Sequence, residues 1–158
     1  MPPAQITIRT GACGGPSPGV ACPAMRRLPL GPATAIVGLY FVGTGLSIVL
    51  APHTFYDRIA PWGGFNGHDL RDIATFYAAV GVGLLAAVPR PGWRAPLLGV
   101  AALQCALHAI NHWADLDAVR RGSSAGWFDA VSLTVLTVVI AKLALLARRA
   151  GPRRELAA

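Results

Sequence analysis

Residues 104–117 read QCALHAINHWADLD, a mostly apolar stretch that also carries cysteine, histidine, asparagine and aspartate. Four of its polar residues are spaced i, i+3, i+7 and i+10, which is the spacing of one helical face. They are Cys105, His108, His112 and Asp115. Polar side chains on an apolar helix usually face the interior of a bundle or a water-filled cavity. The stretch therefore predicts an inward-facing polar stripe on a helix that is otherwise apolar.

The composition of the whole chain indicates a membrane protein. Its 158 residues are 54% hydrophobic and 13% charged, with a net charge of +7 and a mean hydropathy of +0.50. Soluble domains carry about 25% charged residues, so the expected surroundings are a lipid bilayer. The basic residues lie between the apolar runs and form no single patch, which argues against a nucleic-acid partner.

Residues 1–31 differ from the rest, because they are rich in glycine, proline and small polar residues. A segment of this composition cannot bury enough surface to offset its chain entropy, and we predict a disordered cytoplasmic tail. Met25 precedes a pair of arginines and then the first apolar run. We expect Met25 to be the true start of the protein.

Four apolar stretches follow the tail, and each is long enough to cross about 30 Å of hydrocarbon. They cover about residues 32–51, 69–88, 95–114 and 127–147. Asn66 or Asp69 is expected to cap the second helix, and Pro89 to end it. Residues 89–94 would then join the second and third helices as an antiparallel hairpin. The glycines in these stretches would allow close helix packing.

The predicted fold class is therefore all-α, an integral membrane four-helix bundle over residues 32–150 with a cytoplasmic tail at 151–158. Ten of the fourteen basic residues fall on one side of this topology if the N-terminus is inside. Basic residues concentrate on the cytoplasmic side of membrane proteins. We therefore expect both termini to be cytoplasmic, in the inner membrane of a bacterial cell.

In this topology, all four histidines and all six aspartates fall on the extracytoplasmic side. Helix ends in a four-helix bundle can converge on one mouth. The candidate metal ligands that would meet there are His108, His112, Asp115, His68, Asp69 and Asp72. Histidines at i and i+4 can hold one ion from one helical face, and nearby carboxylates could complete a shell for a divalent transition metal.

Two other interpretations stay open at this point. A haem would need His53 or His68 opposite the third helix, whereas a quinone would need only one or two donors and an aromatic wall. Alternatively, these side chains only pair with one another or with water. The protein would then be a structural or accessory subunit without a ligand, acting through a membrane protein partner or a homo-oligomer. No sequence motif identifies an enzyme, a catalytic residue or a substrate.

The sequence resembles the DoxX-like group of small four-helix bacterial membrane proteins. The resemblance covers about residues 32–150. It lies in a second span that opens with charge and runs into small residues (HDLRDIATFYAAVGVGLLAA, 68–87), the short basic hairpin at 89–94 and a last span that ends in arginine. It implies a compact bundle, with redox or thiol-stress partners in some members, and it assigns no catalytic residue.

Overall fold

The computed structural model of the protein describes residues 29–116, 118 and 123–150, and this part of the chain is all-helical. It contains five helices and no strand. They are α1 (Leu30–Leu50), α2 (Pro52–Arg58), α3 (Gly67–Ala87), α4 (Pro91–Ala114) and α5 (Ser123–Ala150). The predicted tail at 1–31, apart from its last three residues, and the tail at 151–158 lie outside the described residues, as does Asp117.

Three of the helices are long and apolar enough to cross a membrane. They are α1, α3 and the Gly126–Ala150 part of α5. The fourth long helix, α4, has 24 residues and is about 36 Å long at 1.5 Å per residue. Its length is sufficient, but Gln104, His108 and Asn111 lower its hydropathy. The all-helical class is therefore confirmed, and three of the predicted spans have the length and apolar composition that crossing a membrane requires.

The link between α3 and α4 is shorter than the predicted hairpin at 89–94, because α4 already begins at Pro91. A proline fits the first helical position, where the missing N–H has no intrahelical partner anyway. Arg90 Nη1 donates to the Ala86 carbonyl at 2.8 Å, and Arg94 donates to the carbonyls of Ala87 and Val88. Two arginines thus donate hydrogen bonds to carbonyls at the end of α3, where the helix itself has no further N–H donors to offer.

At the opposite end, α2 forms between the first two predicted spans, where no helix was predicted. It begins at Pro52 and follows α1 after a single residue, Ala51. The phenol of Tyr56, which is buried, donates a hydrogen bond to the Gly63 carbonyl, and Gly63 has a positive φ of 58°. This turn leads into α3, whose N-cap is Asn66: its side chain accepts from the backbone N–H groups of His68 and Asp69. The prediction of a cap at Asn66 or Asp69 is confirmed for Asn66.

The long helices pack as two pairs, α1 against α3 and α4 against α5, with less contact between the pairs. Gly38, Gly45 and Gly81 lie where α1 and α3 approach most closely. A Cβ added at Gly81 would lie 2.7 Å from the backbone nitrogen of Val42. The core between the pairs is formed by Phe41, Leu84, Leu98 and Ile140, all fully buried. The looser contact between the pairs leaves room for cavities.

Candidate functional site

The inner face of α4 lines a cavity of about 490 Å³ that lies against α3 and the turn before it. Its polar lining includes four of the predicted site residues: Asp69, His108, His112 and Asp115. Its aromatic lining is Tyr56, Trp62, Phe76 and Tyr77. The first polar residue of the stripe, Cys105, is buried in the core beside this cavity, and its Sγ lies 3.8 Å from Gln104 Oε1.

His108 and His112 form an edge-to-face pair, because residues four apart on a helix are neighbours. Their ring centroids are 4.7 Å apart at an interplanar angle of 81°, and both side chains are half-buried. The indole of Trp62 packs edge-on against His112, with centroids 4.4 Å apart. The turn before α3 thus brings a tryptophan onto the histidine pair, a contact between residues fifty positions apart in the sequence.

Two nitrogens at this contact are buried without a hydrogen bond to any described residue: Nε1 of Trp62 and Nδ1 of His112. Buried polar atoms in proteins are nearly always paired, so an unpaired one calls for a partner such as a water or a ligand. Both residues line the same cavity. The site therefore offers polar atoms and an aromatic wall to whatever occupies it.

Two of the six predicted ligands lie outside this cavity. His68 and Asp72 are neighbours on the exposed face of α3, with Nε2 and Oδ2 3.5 Å apart and side chains 77% and 60% exposed. The carboxylate of Asp69 accepts a 2.6 Å hydrogen bond from the side-chain amide of the N-cap, Asn66. His53 is also directed elsewhere, since its ring stacks on Phe65 at 4.0 Å.

The described residues contain no group of three histidine, cysteine, aspartate or glutamate side chains that could hold a metal ion. A zinc-like ion takes three or four protein ligands, whereas the histidine pair supplies two. Of the six predicted ligands, four thus line the cavity and two lie on an exposed surface.

A second cavity of about 640 Å³ lies on the other side of the histidine pair. Tyr77, His108 and His112 line both cavities. The remaining walls come from α1, α2 and α5, and they include Asp129 and Ser132. Sequence reasoning missed this cavity, although Asp129 gave a signal as the one acidic residue within the predicted fourth span.

Trp62 was also missed as a site residue, because a tryptophan beside an apolar span is typical of the membrane interface. Trp113 and Trp127, near the end of α4 and the start of α5, occupy the positions expected of interfacial tryptophans. Their rings pack edge-to-face at 5.2 Å, and Trp113 Nε1 donates to Thr134 Oγ1 at 3.0 Å.

Comparisons of this chain with protein-family models, with curated proteins and with solved structures find no match. The geometry of the site is therefore the basis on which a function can be inferred.

Proposed function

We propose that the protein is a four-helix integral membrane protein of the bacterial inner membrane, in which α4 crosses the membrane as well as α1, α3 and α5. The support for α4 is its outward face. Its exposed large apolar side chains include Val100, Leu103, Leu107 and Ile110, each more than half exposed. They are spaced i, i+3, i+7 and i+10, so they form one apolar stripe, while the polar stripe faces the cavities. An apolar outer face with polar residues turned inward is what a span in lipid requires.

We propose further that both termini are cytoplasmic and that the histidine pair lies near the extracytoplasmic surface. Arg90, Arg94, Arg148 and Arg149 lie at one end of the long helices, where α3 and α5 finish and α4 begins. The described aspartates lie at the other end, in α2, near the starts of α3 and α5, and just after the end of α4. Positive charge concentrated at one end marks the cytoplasmic side.

The proposed activity is binding of a small planar redox ligand, such as a quinone headgroup, in the cavity between α3 and α4. The observation that carries this proposal is the pair of buried nitrogens on Trp62 and His112 beside the aromatic wall. The indole N–H is a donor only, so it needs an acceptor such as a ring carbonyl. A cavity of about 490 Å³ lies within the usual range of about 300–1,000 Å³ for ligand pockets.

A second candidate is a divalent metal ion on the histidine pair, completed by water or by an external ligand. The i, i+4 spacing and the 4.7 Å ring separation favour it. Haem has less support, because His53 and His68, the possible second ligands, are engaged with Phe65 and Asp72. A third alternative, a subunit without any ligand, corresponds to the interpretation in which these side chains only pack.

The test is to purify the protein in mild detergent without added metal or chelator, beside the His108→Ala/His112→Ala variant. Solvent extraction with mass spectrometry would identify an organic ligand, and elemental analysis a metal. We expect a stoichiometric quinone-type molecule in the native protein and its loss from the variant. Stoichiometric metal instead would establish the second candidate, and a protein empty of both would refute ligand binding.

We also propose kinship with the DoxX-like group. Its support is the charged opening of α3, the small residues that follow and the arginines at the end of α5, all of which fall on helices in the order that the resemblance implies.

A further inference from the structure

The end of the bundle at which α3 meets α4 and α5 finishes carries a dense set of basic side chains. The described ones, which we call the basic cluster, are Arg90, Arg94, Lys142, Arg148 and Arg149. The helices α4 and α5 pack together, and Ala95 near the start of α4 and Ala147 near the end of α5 belong to one apolar cluster of the core. The basic residues of the two helices therefore share one end of the bundle.

The charge of this end is strongly positive. In the sequence, residues 89–94 and 142–158 contain seven basic residues and one acidic residue, Glu155. The acidic residues that the structure describes all lie at the opposite end of the long helices. Arg90 and Arg94 donate to backbone carbonyls of α3, which have no net charge and leave the positive charge of each guanidinium in place. The basic cluster therefore favours an anionic partner.

The bundle itself orients two of these guanidinium groups. Arg90 Nη1 donates to the Ala86 carbonyl at 2.8 Å, and Arg90 Cζ lies 5.1 Å from the centroid of the Trp93 ring, within cation–π distance. Arg94 is half-buried and donates to carbonyls at the end of α3. Each guanidinium has five N–H donors, of which these bonds use only one or two. Side chains held in this way lose less conformational entropy on binding, and the remaining donors suit the oxygens of a phosphate.

Two further residues place the basic cluster at the level of lipid headgroups. The side chain of Trp93 is 54% exposed, and tryptophans beside an apolar span are typical of the headgroup level. Lys142 is exposed and lies on the same face of α5 as Arg149, about 10 Å deeper along the helix. A lysine at that depth extends its charged end toward the membrane surface. The anion that fits this cluster is therefore one that the membrane surface itself supplies.

We propose that the basic cluster binds the phosphate group of an anionic phospholipid, such as phosphatidylglycerol, in the adjacent leaflet. The acyl chains would lie along the apolar face of α5, where Val138 and Leu145 flank Lys142 at i−4 and i+3 and are about half exposed. Basic pockets between membrane helices bind anionic headgroups in this way. The inference rests on the proposed membrane crossing of α4, and it is independent of the ligand proposed for the cavity between α3 and α4.

Native mass spectrometry of the purified full chain, delipidated in a neutral detergent, tests the proposal. Phosphatidylglycerol and phosphatidylcholine with identical acyl chains would be added separately at equal concentrations. We expect saturable binding of phosphatidylglycerol and much weaker binding of phosphatidylcholine. Arg148→Gln/Arg149→Gln should weaken phosphatidylglycerol binding by about fivefold for each arginine removed. Arg58→Gln/Arg71→Gln removes the same charge from exposed arginines at the opposite end, and it should leave this binding unchanged.

Equal affinity of the native protein for the two lipids would overturn the proposal, whether or not any variant folds. So would unchanged phosphatidylglycerol binding by a folded Arg148→Gln/Arg149→Gln variant, or equal losses in the two double variants, which would mean that only the net charge of the chain matters. Glycerol 3-phosphate, which has the phosphate without acyl chains, should not displace the lipid at equal concentration. Displacement would assign the basic cluster to a soluble phosphate. The crossing of α4 and the cavity ligand are measured in other experiments, so their failure is distinguishable from any of these results.

Discussion

At the scale of single residues, the burial of a polar atom, Nδ1 of His112, requires an explanation. It is buried and has no hydrogen bond to a described residue, and a buried polar atom without a partner costs about 1–3 kcal/mol. His112→Phe removes that atom and keeps an aromatic ring against Trp62. We therefore expect the ligand-free variant to gain about 1 kcal/mol or more of unfolding free energy while losing ligand binding.

Thermal unfolding in detergent, before and after removal of extractable ligand, would measure both the gain in stability and the loss of ligand binding. His53→Phe is the matched control, because His53 is exposed and its ring only stacks on Phe65; its unfolding temperature should not change. A His112→Phe variant that loses stability in the ligand-free state would show that His112 is part of the packing and not of a binding site.

Residue-scale prediction from the sequence succeeded for the polar stripe and failed for its partners. Helical spacing places His108 and His112 on one face without knowledge of any other helix. The contact with Trp62 depends on the Tyr56–Gly63 hydrogen bond and the turn that it closes. Local spacing carries no information about such a turn, so Trp62 could not be placed.

At the scale of helices, the closest contact is that of α1 with α3, and it depends on glycine. An alanine in an open helix is favoured over glycine by about 1 kcal/mol, but a Cβ at Gly81 would meet Val42 backbone and side chain at 2.7 Å. Overpacking of this kind typically costs about 1–3 kcal/mol. Gly81→Ala should therefore lower the unfolding temperature.

Gly99→Ala provides the comparison, since a Cβ at this exposed position of α4 would meet nothing within 4 Å. It should leave stability unchanged or raise it. Equal effects of the two substitutions in a detergent unfolding assay would mean that α1 and α3 are not packed through their glycines.

Helix boundaries were harder to predict than helix existence. α1 and α3 begin two residues earlier than predicted, while α4 and α5 each begin four residues earlier. In α4 the reason is Pro91, which looks like part of a turn but is compatible with a first helical position. α2 was missed because seven residues are too few for hydropathy to reveal a helix.

At the scale of the whole molecule, composition and hydropathy were sufficient to predict an all-helical membrane protein. They could not predict that the helices form two tight pairs, because pairing depends on which glycine meets which neighbour. The cavities follow from that pairing, since they lie where the α1–α3 pair meets the α4–α5 pair. For this reason the sequence indicated one mouth of polar residues, whereas the structure has a histidine pair shared by two cavities.

We propose that α4, in spite of its polar stripe, crosses the membrane, which makes the number of spans even. Cysteine labelling in a Cys13→Ser/Cys22→Ser background tests it, with Asp57→Cys and Arg149→Cys as exposed sites at opposite ends of the bundle. A membrane-impermeant maleimide applied to intact spheroplasts should label Asp57→Cys and leave Arg149→Cys unlabelled until the membrane is lysed. Labelling of both sites in intact spheroplasts would mean that only three helices cross, and labelling of Arg149→Cys alone would reverse the orientation.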